Sequence, residues 1–83
     1  MAKHIGIVGI IVEDRSASTE LHAVLHKHSD LIVGRQGIPF RNKELSVISL
    51  IVEGEAEQIA LMTDEIGRID HISSKAVIRG EEE

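Results

Sequence analysis

Eighty-three residues make one small domain, with no room for a catalytic unit beside a separate binding unit. The absence of cysteine excludes disulfides, thiolate-held zinc, iron–sulfur ligation by this chain's own thiolates, and thiol catalysis. Fourteen Asp+Glu against nine Lys+Arg give a formal charge of −5; Glu81–Glu83 form an acidic tail, residues 1–80 are close to neutral, and direct nucleic-acid binding is not expected.

The chain alternates strand and helix patterns. Ile5–Val12 is rich in β-branched residues and reads as a strand. Its eight residues are too few to span a membrane. Glu13-Asp14-Arg15 follows instead of a small-residue cleavage site, so a cytoplasmic protein is expected. Glu13 to Ser18 is a polar turn with Asp14, Ser16 and Ser18 as candidate N-caps. Ala17, Leu21, Val24, Leu25 and His28 then fall at helical spacing, ending near Ser29-Asp30. Leu31 to Phe40 reads as a second strand containing Gly34, Gly37 and Pro39, with Gly37 expected to mark a bulge. Arg41-Asn42-Lys43 is a tight turn, and Leu45 to Val52 is a third strand broken at Gly54. Ala56, Ile59, Met62, Thr63 and Ile66 define a second helical face, stopped by Gly67. His71 to Ile78 is the fourth strand.

The order βαββαβ with right-handed crossovers predicts an α+β, ferredoxin-like sandwich with antiparallel sheet order 4-1-3-2 and both helices on one face. One domain spans residues 1–80, followed by the tail 81–83. Strands one and three are then central. Pro39, which cannot donate to a ladder, suits strand two as an edge. Strand four, with Ser73, Ser74 and Lys75, suits the other.

Both faces of the central strands are apolar. In strand one Ile5, Ile7 and Ile11 oppose Val8, Ile10 and Val12. In strand three Leu45, Val47 and Ile51 oppose Ile48, Leu50 and Val52. Two helices cover only one face, and an uncovered sheet face ordinarily alternates with polar residues. The second face is therefore read as an interaction surface, most simply for another copy of the chain in a homodimer or homotetramer. Val8, Ile10, Ile48 and Leu50 are taken as that interface, with Leu61 on the polar side of the second helix as a further exposed apolar residue.

Candidate site residues lie elsewhere. His22 and His26 stand four apart on one helix flank, within reach of one metal ion, though two ligands make a weak site. His28, at the helix end, is expected against the last carbonyls and the negative end of the dipole. His4 and His71 begin strands. Asp14, Arg15, Ser16, Ala17 and Ser18 lie where a helix N-terminus offers backbone N–H groups to a carboxylate or phosphate, and they also serve as caps. An RNA-reading sheet would need stacking aromatics, and Phe40 is the only one. No catalytic triad or carboxylate pair stands out, so no enzymatic activity is expected and no cofactor is assigned.

Two resemblances follow from these placements. Ile10 to Ala17, followed by Leu21-His22-Ala23-Val24-Leu25, resembles the opening of ACT domains, small ligand-binding regulatory modules whose first strand commonly ends in Asp-Arg-Pro-Gly. Here the turn reads Asp14-Arg15-Ser16-Ala17, and the Ala17 methyl group crowds a ligand where those domains have glycine. Val12-Glu13-Asp14-Arg15, Gly37-Ile38-Pro39 and Ser46 to Val52 together resemble a family of small stand-alone regulators of the iron-only hydrogenase system, over roughly Ile5 to Ile78. The resemblance implies a regulatory, ligand-binding homo-oligomer with a small molecule at Asp14–Ser18, near a subunit boundary.

Alternative readings are a metal-responsive protein for nickel, zinc or iron, and a structural subunit of a larger complex. His26-Lys27-His28-Ser29-Asp30-Leu31 resembles the end of the first helix in the metal-binding domain of nickel-responsive repressors. Gly37, Pro39 and Leu45 stand where that family has its other ligands, and no DNA-binding segment is read before the first strand, so nickel repression is not expected. Arg35 to Arg41 superficially resembles an acylphosphatase phosphate loop, but no helix start follows it.

Overall fold

The computed structural model describes residues 3–40 and 43–79. The Arg41-Asn42 part of the expected turn and the acidic tail Glu81–Glu83 lie outside the described residues. The elements are β1 (His4–Val12), α1 (Ser18–Lys27), β2 (Ile32–Phe40), β3 (Leu45–Gly54), α2 (Ala56–Gly67) and β4 (Ile72–Ile78). Short 3-10 turns, Arg15–Ala17 and Ser29–Leu31, flank α1. The strands form one antiparallel sheet in the order β2-β3-β1-β4, the ferredoxin-like arrangement, with the Pro39 strand at one edge.

The pleat sorts each strand into two sets of side chains. Val8, Ile10 and Val12 of β1 and Ile48, Leu50 and Val52 of β3 point into one core. Leu21 and Leu25 of α1 and Ile59, Met62 and Ile66 of α2 close over them. Leu31, Ile69 and Ile72 seal its margins. The i, i+3, i+4 spacing in each helix accounts for a single buried stripe. α2 starts in a capping box, with Glu55 accepting from the backbone of Gln58 and the Gln58 side chain bonding back to the Glu55 N–H.

Local details depart from the sequence reading in three places. The irregularity in β2 lies between Ile32 and Gly34, and Gly37 pairs regularly with Ile48. Gly54 does not break β3 but ends it, facing the core against Leu31. Gly67 ends α2 without entering the left-handed region; Arg68 caps the helix in right-handed geometry and bonds back to Asp64 and Glu65. What Gly67 provides is closeness: a Cβ there would lie 3.0 Å from the Ser74 hydroxyl, which donates to the Thr63 carbonyl at 2.8 Å. The left-handed residue between α2 and β4 is instead His71 (φ 70°), whose carbonyl accepts from the Glu13 N–H at 2.8 Å as the chain turns into β4.

Candidate functional site

The open face of the sheet is the largest feature the fold leaves uncovered. Antiparallel partners share a face, so the registers define it row by row. Ile38, Val47, Ile11 and Ser73 form one row. Gln36, Ser49, Gly9 and Lys75 form the next, and Ile51, Ile7 and Val77 another. Phe40 lies beyond the first row and Ile5, beside Glu53, beyond the last. Ile7 and Ile51 are 49% and 41% exposed, whereas their neighbours Val8 and Leu50 are 0% exposed. Ile5, Ile7, Ile11, Ile38, Phe40, Val47, Ile51 and Val77 together bare on the order of 700 Å², above the usual 300–600 Å² maximum patch of a monomer.

The interface set Val8, Ile10, Ile48 and Leu50 is thereby corrected. These four face the helices and form the middle of the core, so no partner can touch them without unfolding the domain. The opposite parity, Ile7, Ile11, Val47 and Ile51, is open to solvent. A sequence signal for this existed: Gly9, Ser49 and Glu53 interrupt the open parity, and the core parity of Val8 to Val12 and Ile48 to Val52 has no such interruption.

The loop after β1 is built as a helix entrance. The Ser16 N–H donates to the Asp14 carboxylate at 2.9 Å, and the Ala17 N–H to the Asp14 carbonyl at 3.0 Å. Hydrogen bonding from Ser16, through its backbone N–H first and then its side chain, holds the Asp14 carboxyl below the usual carboxylate range, with the His71 ring, 4.0 Å away, adding to the effect. Ala17 is buried, while Arg15 and Ser16 are exposed and Ser18 half-buried. α1 itself begins after Ala17 without a side-chain cap.

His22 and His26 do lie side by side, in a groove between α1 and β2 of about 480 Å³ lined also by Leu25, Ser29, Ile32 and Arg35. Arg35 Nη2 donates to His22 Nε2 at 3.3 Å, so a cation already occupies the lone pair a metal would need. Among the described residues no three His, Asp or Glu come together as a metal cluster.

His28 is the half-buried C-cap of α1, and its ring bonds to a carboxylate of α2 rather than to the last carbonyls. Its Nε2 donates to Glu65 Oε1 at 2.7 Å, and Lys27 Nζ donates to Glu65 Oε2 at 3.0 Å. One α2 carboxylate thus bridges the His28 ring and the Lys27 ammonium at the end of α1, and Glu65 was not singled out from sequence because its partners are more than thirty residues away. The two bonds, His28 first, hold the Glu65 carboxyl below its ordinary value. A carboxyl lowered on folding stabilises the fold above its unfolded value and ceases to do so as pH falls through its folded one. Stability of the native chain should therefore fall as pH drops through and below the usual carboxylate range. Glu65→Gln should lower the melting temperature at neutral pH and flatten that acid limb; equal slopes in thermal melts across pH would show that the bridge contributes nothing. Next to this bridge, Lys27, His28, Asp30, Glu53, Gln58 and Leu61 line a cleft of about 330 Å³ with mixed charge.

Comparison with known proteins adds the family. The TM1266-like family model, described as "Iron-only hydrogenase system regulator, putative", matches residues 4–76. No curated protein matches the sequence. The solved structure of the uncharacterized protein TM1266 from Thermotoga maritima is similar at 29% identity and TM-score 0.91, covering 95% of this chain and 100% of that one. The C-terminal domain of the MgtC protein from Mycobacterium tuberculosis shares the fold at 9% identity and TM-score 0.73, over 96% of this chain and 92% of that one. A formyltetrahydrofolate deformylase from Pseudomonas putida shares it at 9% identity and TM-score 0.63, over 88% of this chain but 28% of the enzyme. The fold thus recurs in proteins of different kinds and does not select a function. Matched by the family model over residues 4–76, this chain belongs to the TM1266-like family.

Proposed function

We propose that the protein is a small regulatory module that works as a homo-oligomer, its open sheet faces packed against one another. The observation that carries the reading is the row-by-row apolar face of Ile7, Ile11, Val47 and Ile51, which the chain's own helices leave bare. A sheet with two apolar faces is ordinarily covered on both. Sedimentation velocity over a concentration series tests it: a dimer or larger assembly is expected at micromolar concentration. A monomer throughout would refute the reading and turn attention to a different protein as the cover.

A regulator must also be told something. Small anions are assigned to the entrance of α1, at Asp14, Arg15, Ser16, Ala17 and Ser18. Support comes from the exposed Arg15 guanidinium and the start of α1 without a side-chain cap, where backbone N–H groups favour negative charge. Such a ligand acts by binding one assembly state better than another. In an NMR titration with acetate or inorganic phosphate, the amides of Arg15 to Glu20 should move first. A titration that moves only distant amides, or none, removes the ligand from this loop.

A further inference from the structure

The middle of the open face contains a hole that the isolated chain does not require. Gly9 sits at the centre of β1, opposite Ser49 on one side and Lys75 on the other. A glycine in a strand interior weakens the strand, and it marks a bulge, a bend or a close approach from outside. β1 has no register shift against either neighbour, and Gly9 is not in the left-handed region. A Cβ placed on Gly9 would meet no heavy atom within 4 Å. Gly6, three residues earlier, is different: there a Cβ would lie 2.9 Å from the Val77 carbonyl, so the chain's own packing explains it. Neither backbone conformation nor internal packing demands glycine at position 9.

The missing side chain has a shape consequence. Gly9 and small Ser49 leave a trough across the two central strands, with a ridge of Ile11 and Val47 on one side and a ridge of Ile7 and Ile51 on the other. Towards β4 the trough widens into a shallow cavity of about 300 Å³ lined by Gly9, Ile11, Val47, Ser73 and Lys75. That is room for a branched aliphatic side chain.

We propose that this trough receives an isoleucine ridge from the same face of a second copy. The proposal rests on the homo-oligomer reading and specifies how the two faces fit. Trough and ridge lie on one face, and a two-fold interface is self-complementary, so one copy's ridge entering the partner's trough brings the reciprocal contact with it. The exposed apolar area, on the order of 700 Å², is close to the roughly 800 Å² each partner contributes to a standard stable interface. The charges on the face, Lys75 and Glu53, lie on the outer strand β4 and in an end row, and are of opposite sign. Lys75 closes the Gly9 row only at the outer strand, so the central strands β1 and β3 carry no charge in the rows of Ile7, Gly9 and Ile11 and are free to interdigitate at the usual spacing of packed sheets, about 10 Å.

Gly9→Val tests the fit. In the isolated chain the substitution adds a β-branched residue to a central strand in open space, which favours the strand. In the assembly it fills the trough from both sides at once. Sedimentation equilibrium should show the dimer dissociation constant raised by about tenfold or more, with Gly9→Ala intermediate, as overpacking predicts. A folding control uses the Ile7→Glu/Ile51→Lys background, where association is removed by other means. There Gly9→Val should leave the melting temperature unchanged or raise it. If native and Gly9→Val chains form the same oligomer with equal affinity, the trough is not the seat of the partner's ridge, although self-association stands. If Gly9→Val lowers the melting temperature in the monomeric background, position 9 serves the fold and the proposal is overturned. A native chain that is monomeric throughout takes down both the fit and the oligomer reading.

Discussion

Leu50→Asp should abolish folding, while Ile51→Asp, one residue further along the same strand, should leave the domain folded. Leu50 is 0% exposed and lies among Val8, Ile59 and Met62 in the core. Truncating such a leucine costs about 2–5 kcal/mol through lost burial and cavity formation. A carboxylate without a partner in that space costs several kcal/mol more, or takes up a proton to avoid the cost. An 83-residue domain has roughly 4–12 kcal/mol of stability in all, at about 0.05–0.15 kcal/mol per residue. The sum exceeds or exhausts it. Ile51, on the other face, points to solvent in the single chain, so an aspartate there stays hydrated. Far-UV circular dichroism and amide NMR dispersion distinguish the two. A folded Leu50→Asp protein, or an unfolded Ile51→Asp one, would mean that the faces have been assigned the wrong way round. Leu50→Ala serves as the graded control, folded but less stable by about 2–5 kcal/mol in urea titrations.

The second large effect is on assembly. Ile7→Glu/Ile51→Lys places opposite charges directly across the β1–β3 pair, so within one chain they pair rather than repel. In a face-to-face oligomer the same two charges must lose water at the centre of the interface. Central interface residues often cost at least 2 kcal/mol each when lost, so two of them raise the dissociation constant by about a hundredfold or more. The expected result is a folded monomer at concentrations where the native chain is oligomeric, read by sedimentation velocity beside a normal melting curve. An unchanged oligomer would place the interface on a sheet edge or a helix face. Leu61, 53% exposed on α2, is the first residue to substitute in that case.

The sequence revealed the fold well and the sites unevenly. Element order, the central and edge strands and the buried helix stripes all follow from local periodicity, which the chain carries in residues a few positions apart. The alternation within β1 and β3 was also legible. Which parity faces the helices was not, because Ile, Val and Leu occupy both and hydrophobicity alone carries no direction. The polar interruptions at Gly9, Ser49 and Glu53 held the answer, but they share a face only once the β1–β3 register is known. The same limit explains His28 and Glu65: a hydrogen bond across thirty-seven positions leaves no local trace, whereas the end of α1 beside His28 suggested its dipole. Arg35 against His22 is a third case, since only the fold brings the second strand's cation to the first helix's imidazole. Gly37 and Gly67 were read for their backbone freedom, and the structure uses neither in a left-handed conformation.

The register between β1 and β4 sets a constraint on how the chain comes into being. Ile7 pairs with Val77, and the Arg79 N–H donates to the Ile5 carbonyl at 2.9 Å, so the first strand of the domain lies beside its last. Its other neighbour, β3, also arrives only after α1 and β2. A nascent β1 therefore waits, apolar on both sides, while the rest of the domain is translated. Long-range closure of this kind is slow, and waiting strands are prone to pair with the wrong chain. On a polysome, neighbouring nascent copies carry identical waiting strands. The residues that bring mature copies together are thus also those that need shielding during synthesis.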